Sequence, residues 1–573
     1  MSTTANNARQ SMLPARGLSA ALDFACASHG RAAALLIVFC LIAFLPGFFT
    51  IPPVDRDEAR FAQATKQMVE TGDYVDIRFQ DEVRYKKPVG IYWLQSAAVE
   101  TGRALGVPQA DTTIWLYRLP SLAGATSAVL LTYWAALAFV GRRPALFAAL
   151  MMASAVVLGV EARLAKTDAV LLACSVAAMG ALARIYLLQR RAPGELADWK
   201  QPAVLWTAMA IGILIKGPMV PMFVALTIVT LSVLDRSARW LMALRPLSGF
   251  IWLLVIVLPW FIAIVLRTGD SFFEQAVGHD MLSKVAGGQE SHGAPPGYYL
   301  LLYWVTFWPG SVLTGLAVPA AWRARGEAAT QFLLAWLIPS WLIFEAVPTK
   351  LPHYVMPLYP AIAILIASVI ESGKLFSGRW LTRGTIGWFV FPGVIAIAVP
   401  VLFVSLGNGL GLAAWPFAAA AVILGLFAWW LYEADGAERS LLRGVAASLL
   451  VAIAVYALTL PRLPALFPSA TVAAELKASG CAAPQLVSSY SYQEPSLIFL
   501  AGTDTRFTDG ADAAEFLKHG ACRFALVDAR SERGFTQRAD AIGLRYALAG
   551  RIDGFNISTG KPVALKMFRS VAP

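Results

Sequence analysis

The chain has 573 residues, of which 58% are hydrophobic and only 14% charged, and its formal net charge is +11. A water-soluble globular fold of this length needs far more charge to cover its surface, so that class is excluded. The positive excess does not indicate nucleic acid: much of it falls in short loops between apolar blocks, and no basic stripe with interleaved aromatics occurs.

Residues 1–31 are polar, carry Arg9 and Arg16, and lack the short apolar core and small-residue cleavage site of a signal peptide. They read as a cytoplasmic N-terminal segment. The apolar blocks that follow run for about 18–25 residues, long enough to cross a bilayer. Candidate spans fall near 32–50, 115–140, 145–162, 168–188, 202–216, 218–234, 247–266, 298–321, 329–346, 354–371, 385–406, 411–432 and 444–461. The expected fold class is therefore a polytopic α-helical membrane protein of about thirteen transmembrane helices. A small C-terminal α/β domain follows it.

The loops sort by charge. Arg142/Arg143, Arg190/Arg191/Lys200, Arg236/Arg239/Arg245, Arg323/Arg325, Lys374/Arg379/Arg383 and Arg439/Arg443 share one side if the spans alternate, and the N-terminus joins them. That side is cytoplasmic. The opposite face receives the first loop (about 51–113), the stretch Glu161–Asp168, the turn Lys216-Gly217-Pro218, the loop 267–297, the turn 348–353 and everything after Pro461. The expected division is thus 1–31 cytoplasmic, 32–461 transmembrane and 462–573 a periplasmic α/β domain.

The first loop concentrates charge where the chain has just left the bilayer: Asp55-Arg56-Asp57-Glu58-Ala59-Arg60 follows a Pro-rich entry and opens a helical pattern at Phe61, Ala64 and Met68. Acidic residues in a first helical turn also serve as ordinary dipole partners, and that reading stays open. Arg84-Tyr85-Lys86-Lys87-Pro88 introduces a second amphipathic helix with Tyr92/Trp93 suited to an interface. Two lysines before a Pro-started helix suit a phosphate, or alternatively water and lipid headgroups. Glu161, Arg163, Lys166 and Asp168 cluster at the outer end of a helical hairpin. Lys216 lies between two apolar blocks, and Lys350-Leu351-Pro352-His353-Tyr354 between two more; His279, Asp280 and Lys284 occupy the outer loop between them. Charges at such depths usually have a partner or a function. Carboxylates and cations on one membrane face suit a lipid-linked phosphate substrate and a proton acceptor.

In the tail, Gln485–Ser489 and Arg523–Val527 read as strands, and Ala470–Ala478 and Asp512–His519 as helices, which suggests an α/β unit with some parallel pairing. Of five cysteines, Cys26, Cys40 and Cys174 lie in or near apolar segments as small hydrophobes. Cys481 and Cys522 each sit shortly before a strand; a disulfide and two free thiols both remain open. No CxxC or Cys/His cluster suggests structural zinc.

At these residues the chain resembles the bacterial lipid-linked glycosyltransferases of the GT-C fold, in particular the aminoarabinose transferase group and the protein mannosyltransferase-like superfamily around it. The matching pieces are Asp57-Glu58-Ala59-Arg60, Lys87-Pro-Val-Gly-Ile-Tyr-Trp, Ala165-Lys166-Thr167-Asp168-Ala169, Lys216-Gly217-Pro218 and Lys350-Leu-Pro-His-Tyr354, within residues 32–460. No single piece is specific; their order and shared face carry the match. The resemblance implies an inverting transfer of a sugar from a polyprenyl-phosphate donor to a periplasmic glycolipid such as lipid A or lipopolysaccharide, at a multi-pass inner-membrane protein. The same chemistry with galacturonic acid or mannose, or with a protein or glycan acceptor, is the nearer alternative. A lipid flippase or transporter, and a non-enzymatic anchoring protein, are the other classes.

By that resemblance Asp57, with Glu58, is the catalytic carboxylate, and Arg60, Lys87 and either Lys284 or Arg267 contact the donor phosphate. Asp168, Lys216, Lys350, His353 and Tyr354 bind substrate. The acidic residue that usually precedes the Lys-Pro pair in this group is Lys86 here, which weakens a metal site. A divalent cation is admissible, but no cofactor is implied and no metal ligand is assigned.

Overall fold

The computed structural model describes residues 20, 22–194, 198–269, 272, 293–376, 378, 382–407, 409–520 and 522–571. After α1 (His29–Phe44), the chain leaves the apolar layer and forms two amphipathic helices, α2 (Asp57–Thr71) and α3 (Gly90–Ala104), joined by a two-stranded hairpin of β1 (Arg78–Phe79) and β2 (Glu82–Val83). Asp57 and Glu58 occupy the first turn of α2, and Gly72, in the left-handed conformation, ends it. The long helices follow: α4 (Ile114–Ala136), α5 (Arg142–Ser154), α6 (Val156–Glu161), α7 (Asp168–Arg191), α8 (Lys200–Lys216), α9 (Met219–Leu234) and α10 (Pro246–Thr268). Then come α11 (Tyr298–Thr306), α12 (Thr314–Arg323), α13 (Ala328–Ala346), α14 (Tyr359–Glu371), α15 (Gly387–Ser405), α16 (Trp415–Trp430) and α17 (Tyr432–Ala452).

Among the described residues seven helices are long and apolar enough to cross a membrane, and the pair 298–306 with 310–323, bent by 114°, is an eighth if it forms one span. The other expected crossings fall on shorter or broken helices. The hydrocarbon core needs about 20 residues of helix, and α1, α9 and the helix over 356–371 are shorter apolar helices. The block at 145–162 is one helix interrupted at Ala155, whose extended backbone separates α5 from α6. Leu247, Phe250, Ile251, Val255, Ile262 and Leu266 on α10 are exposed, as are Val229 and Val233 on α9. Apolar exposure on this scale suits lipid contact and not water. The chain is a multi-pass membrane protein.

Two glycines set how closely the helices approach beneath the first loop. A Cβ on Gly90 would lie 2.7 Å from the Leu214 carbonyl oxygen, so α3 rests directly on α8. A Cβ on Gly124 would lie 2.8 Å from the Val170 nitrogen, so α4 presses against the first turn of α7 and fixes where Asp168 emerges.

After residue 462 come α18 (Pro468–Ala478), β3 (Gln485–Ser489), α19 (Pro495–Ala501), β4 (Arg506–Thr508), α20 (Gly510–Lys518), β5 (Arg523–Asp528), α21 (Glu532–Ala541), β6 (Tyr546–Asn556) and β7 (Lys561–Ser570). The sheet order is β4-β3-β5-β7-β6, with β3 parallel to both β4 and β5 and the last two strands antiparallel. Because Gln485 pairs with Arg523, the residues preceding β3 and β5 are neighbours, and Cys481 and Cys522 form a disulfide with their Cα atoms 5.7 Å apart.

This segment rests on the first loop. Lys66 Nζ donates to the Phe499 carbonyl at 3.1 Å, Gln63 to the Thr503 hydroxyl at 3.0 Å, and Gln80 to the Thr503 and Thr505 carbonyls at 2.8 and 2.6 Å.

Candidate functional site

A cavity of about 520 Å³ opens where the first loop, the α6–α7 connection, the end of α8 and the turn 349–354 meet. Its wall includes Asp57, Glu58, Arg60, Lys87, Asp168, Lys216, His353 and Tyr354, and thus most of the residues singled out by sequence. Arg267 and Lys350 are not on that wall. Lys284, like His279 and Asp280, lies outside the described residues.

Asp57 and Glu58 are adjacent but do different things. The helix turns about 100° per residue, so one carboxylate faces the cavity and the other the packed interior. Glu58 accepts from Arg118 Nε at 2.8 Å and Nη2 at 2.9 Å, from the Val54 amide at 2.8 Å and from the Ala165 amide at 2.9 Å. Arg118, 1% exposed, also donates to the carbonyls of Phe48, Ile51 and Pro52. Every Glu58 oxygen is committed, so its expected catalytic part gives way to a tie between the first loop, α4 and the 163–167 connection. Asp57 has no hydrogen bond or ion pair among the described residues and stays half-buried on the cavity wall. Burial pushes its carboxyl up, but the charges of Lys166 and Arg84 outweigh that and hold it below the ordinary value, so it is ionised.

Deeper in the cavity the charged groups interlock. Lys166 Nζ lies 3.1 Å from Glu161 Oε1 and 3.8 Å from Asp168 Oδ2. Lys216 bonds Asp168 Oδ1 and stands 5.0 Å from the centre of the Tyr354 ring. His353 Nδ1 is 3.4 Å from Glu161 Oε1, and Nε2 is 3.6 Å from Asp168 Oδ1. Burial drives the imidazole down to about 3 despite Asp168, so it is neutral and donates from one nitrogen only. Glu161, Asp168 and His353 are close enough together to hold a metal ion. They fit one poorly, because two ammonium groups already sit against the carboxylates and a dication would add charge within a few ångströms of both.

Two expected site residues are used elsewhere. Lys350 Nζ donates to the carbonyls of Phe344, Glu345 and Val347, capping the C-terminal end of α13, where a cation is favoured. Arg267 pairs with Asp73 at 3.1 Å. Conversely, Arg84, Glu161 and Lys166 line the cavity although the sequence reading assigned them no role there. The signal for Glu161 and Lys166 was present: both flank a hairpin turn with Asp168, away from the loops rich in Arg and Lys.

The C-terminal segment reaches the rim. Arg56, whose backbone is left-handed at φ 67°, donates to the Ser558 carbonyl. Asp55 Oδ1 accepts from the Ser496 amide at 3.1 Å, and Glu494, nearby, holds Asn556 Nδ2 at 2.7 Å and the Ser558 hydroxyl at 3.0 Å. Burial, then the Glu494 charge, raises the Asp55 carboxyl to about 7 from its ordinary 3.8. A carboxyl whose pKa rises on docking binds its proton more tightly when docked. The contact is therefore strongest below about pH 4 and weakens as pH climbs through about 7. Amide hydrogen exchange around 494–496 and 556–559 is expected to be faster at pH 8 than at pH 5.5, and Asp55→Asn to remove the difference; equal exchange at both pH values in the unmodified protein contradicts this.

The dolichyl-phosphate-mannose-protein mannosyltransferase family matches residues 35–270. An undecaprenyl phosphate-α-4-amino-4-deoxy-L-arabinose arabinosyl transferase of Edwardsiella ictaluri is 27% identical over 386 residues, covering 64% of this chain and 65% of the relative. One of Pseudomonas paraeruginosa is 29% identical over 340 residues, 58% of each chain. The chain thus spans less than two thirds of the length of these relatives. ArnT from Cupriavidus metallidurans, solved bound to undecaprenyl phosphate, shares the fold with TM-score 0.74 at 18% identity, over 93% of this chain and 97% of that one; its apo state gives 0.73.

Proposed function

We infer that this chain, a GT-C, aminoarabinose transferase-like protein, is an inverting glycosyltransferase that moves a sugar from a polyprenyl-phosphate donor to an acceptor hydroxyl, with lipid A or lipopolysaccharide the leading acceptor. The observation that carries the reading is the cavity in which uncommitted, ionised Asp57 shares a wall with Arg60, Lys86 and Lys87. A transporter would hold its charges near the bilayer midplane; here they gather where the loops meet one end of the helices.

In the reaction, the acceptor O–H attacks the anomeric carbon from the face opposite the phosphate. The bond from carbon to phosphate oxygen breaks, the proton passes to Asp57, and polyprenyl phosphate leaves with its electron pair. Arg60 and Lys87 neutralise that leaving phosphate. The Asp168–Lys216 pair, with Tyr354 and His353, forms the inner wall against the sugar or the acceptor. The lipid tail lies along the apolar helix surfaces.

In this account the chain crosses the inner membrane thirteen times, with the bent pair, the three shorter apolar helices, α8 and the broken block 145–162 each adding a crossing to the seven long helices. The cavity and residues 462–573, a separate α/β domain, face the periplasm. The charge asymmetry of the loops supports that orientation, and a disulfide suits an oxidising compartment.

The reading is tested by mass spectrometry of glycolipids and polyprenyl-phosphate sugars in cells with and without the protein. One sugar is expected to vanish from a glycolipid while its lipid-linked donor accumulates; identical lipid profiles contradict the reading. In membranes, Lys87→Ala is expected to raise the donor KM by about 10- to 100-fold, the worth of a hydrogen bond to a charged group, with less effect on the acceptor KM.

A further inference from the structure

A general base must be aimed, and Asp57 has no contact of its own to aim it: its carboxylate meets no hydrogen-bond or ion-pair partner among the described residues. It is also the first residue of α2, where helices fray because the opening amides lack intrahelical partners. Its direction is therefore set by the residues on either side. After it, Glu58 is locked to Arg118 and to the Val54 amide. Before it, Arg56 closes the first turn: its carbonyl accepts from the Arg60 amide at 3.1 Å.

Arg56 does so from a backbone that a side chain disfavours. Its φ is 67° and its ψ −115°, a region that glycine enters freely and other residues adopt only when their surroundings impose it. The imposing contacts come from the last hairpin. Arg56 Nη2 donates to the Ser558 carbonyl in the turn between β6 and β7. That turn is itself fixed: Asn556 Oδ1 accepts from the Ser558 and Thr559 amides at 2.8 and 3.1 Å, and Glu494 accepts from Asn556 Nδ2 and the Ser558 hydroxyl. Asp55, on the other side of Arg56, is held by the Ser496 amide. Docking of the C-terminal segment does not depend on the Arg56 tie. Arg56 is exposed, where one hydrogen bond contributes modestly to stability, and Lys66, Gln63 and Gln80 hold the segment independently. Strain kept beside the reacting carboxylate, by a contact that docking does not need, points to a positioning role.

We propose that Arg56 is a positioning residue: tied to the β6–β7 turn, it holds Asp57 toward the acceptor hydroxyl, so that the C-terminal segment acts on catalysis through the first loop. The proposal rests on the reading of Asp57 as the base.

The test is single-turnover transfer by the full-length protein in proteoliposomes, whose rate constant does not depend on the fraction of protein that is active. The substrates are lipid A and the polyprenyl-phosphate sugar that accumulates in cells lacking the protein. Arg56→Ala is expected to lower the rate constant by about 10- to 100-fold, the cost of misplacing a reacting group by about an ångström, with donor affinity changed about threefold or less. Asn556→Ala, away from the cavity wall, is expected to reproduce the loss by freeing the turn. In Asp57→Asn the same Arg56→Ala change is expected to cost no more than about twofold further, because the group it acts through is gone. Lower donor affinity with an unchanged rate constant makes Arg56 a direct phosphate contact and overturns the proposal. A merely structural role lowers the amplitude of the turnover and leaves its rate constant, which overturns it too, as does an unchanged rate constant in a folded Asn556→Ala protein. The Arg56→Ala comparison stands even where the buried Asn556 cannot be replaced. Full activity of Asp57→Asn removes the base reading and the proposal together, whereas a slow Asp57→Asn protein in which Arg56→Ala keeps its whole effect removes the proposal alone.

Discussion

Asp57→Asn is expected to lower sugar transfer by on the order of 10²–10⁴-fold, the usual contribution of a positioned general base, while the protein still inserts and folds. The expectation follows from how little else Asp57 does. Its oxygens hold no neighbour among the described residues, so the isosteric amide removes a proton acceptor and breaks no contact. Its carboxyl is ionised at neutral pH because Lys166 and Arg84 outweigh the cost of burial, so the base is ready without a prior titration. Donor binding is expected to change little, because the proposed reaction assigns the phosphate to Arg60 and Lys87; the loss falls in kcat rather than in donor KM. Initial rates in membranes supplied with donor measure this, and full activity in the variant contradicts the assignment of Asp57 as base.

The neighbouring substitution is expected to fail differently. Glu58→Ala leaves Arg118, 1% exposed, with a buried charge and no carboxylate, and releases the amides of Val54 and Ala165. Breaking one side of a buried ion pair costs about 3–5 kcal/mol, enough to lower the yield of folded protein and its unfolding temperature in detergent. Arg118→Ala strands the Glu58 carboxylate in the same way. Replacing both residues with apolar side chains of similar size is expected to cost less than either single change, since no charge is then left unpaired. Thermal unfolding of the three variants checks this. A Glu58→Ala protein with unaltered unfolding but no activity would return Glu58 to the catalytic group.

The contrast shows what the sequence can carry. Apolar blocks, loop charge and the grouping of Asp57, Lys87, Asp168, Lys216 and Tyr354 near one face are readable, because hydropathy is local and charges that leave the apolar layer are few. Which of two adjacent carboxylates enters the cavity is not readable, because both satisfy the same first-turn pattern and only the position of Arg118, sixty residues later, decides. Lys350 misleads for a related reason: its neighbours His353 and Tyr354 do line the cavity, but its own chain folds back on the carbonyls ending α13. The bent pair at 298–323 and the break at Ala155 depend on backbone geometry within uniformly apolar stretches, where periodicity is silent. The contacts of Arg56 with Ser558 and of Asp55 with Ser496 join residues more than four hundred positions apart, and no local signal announces them.

The most direct measurement is single-turnover transfer by the purified protein in proteoliposomes holding a polyprenyl-phosphate sugar and a lipid A acceptor, with both lipid products followed by mass spectrometry. The account predicts one sugar gained by the acceptor for each polyprenyl phosphate released, with inversion at the anomeric carbon, and neither product with Asp57→Asn. Movement of the donor between leaflets with no glycosylated acceptor, or equal product from both proteins, contradicts it.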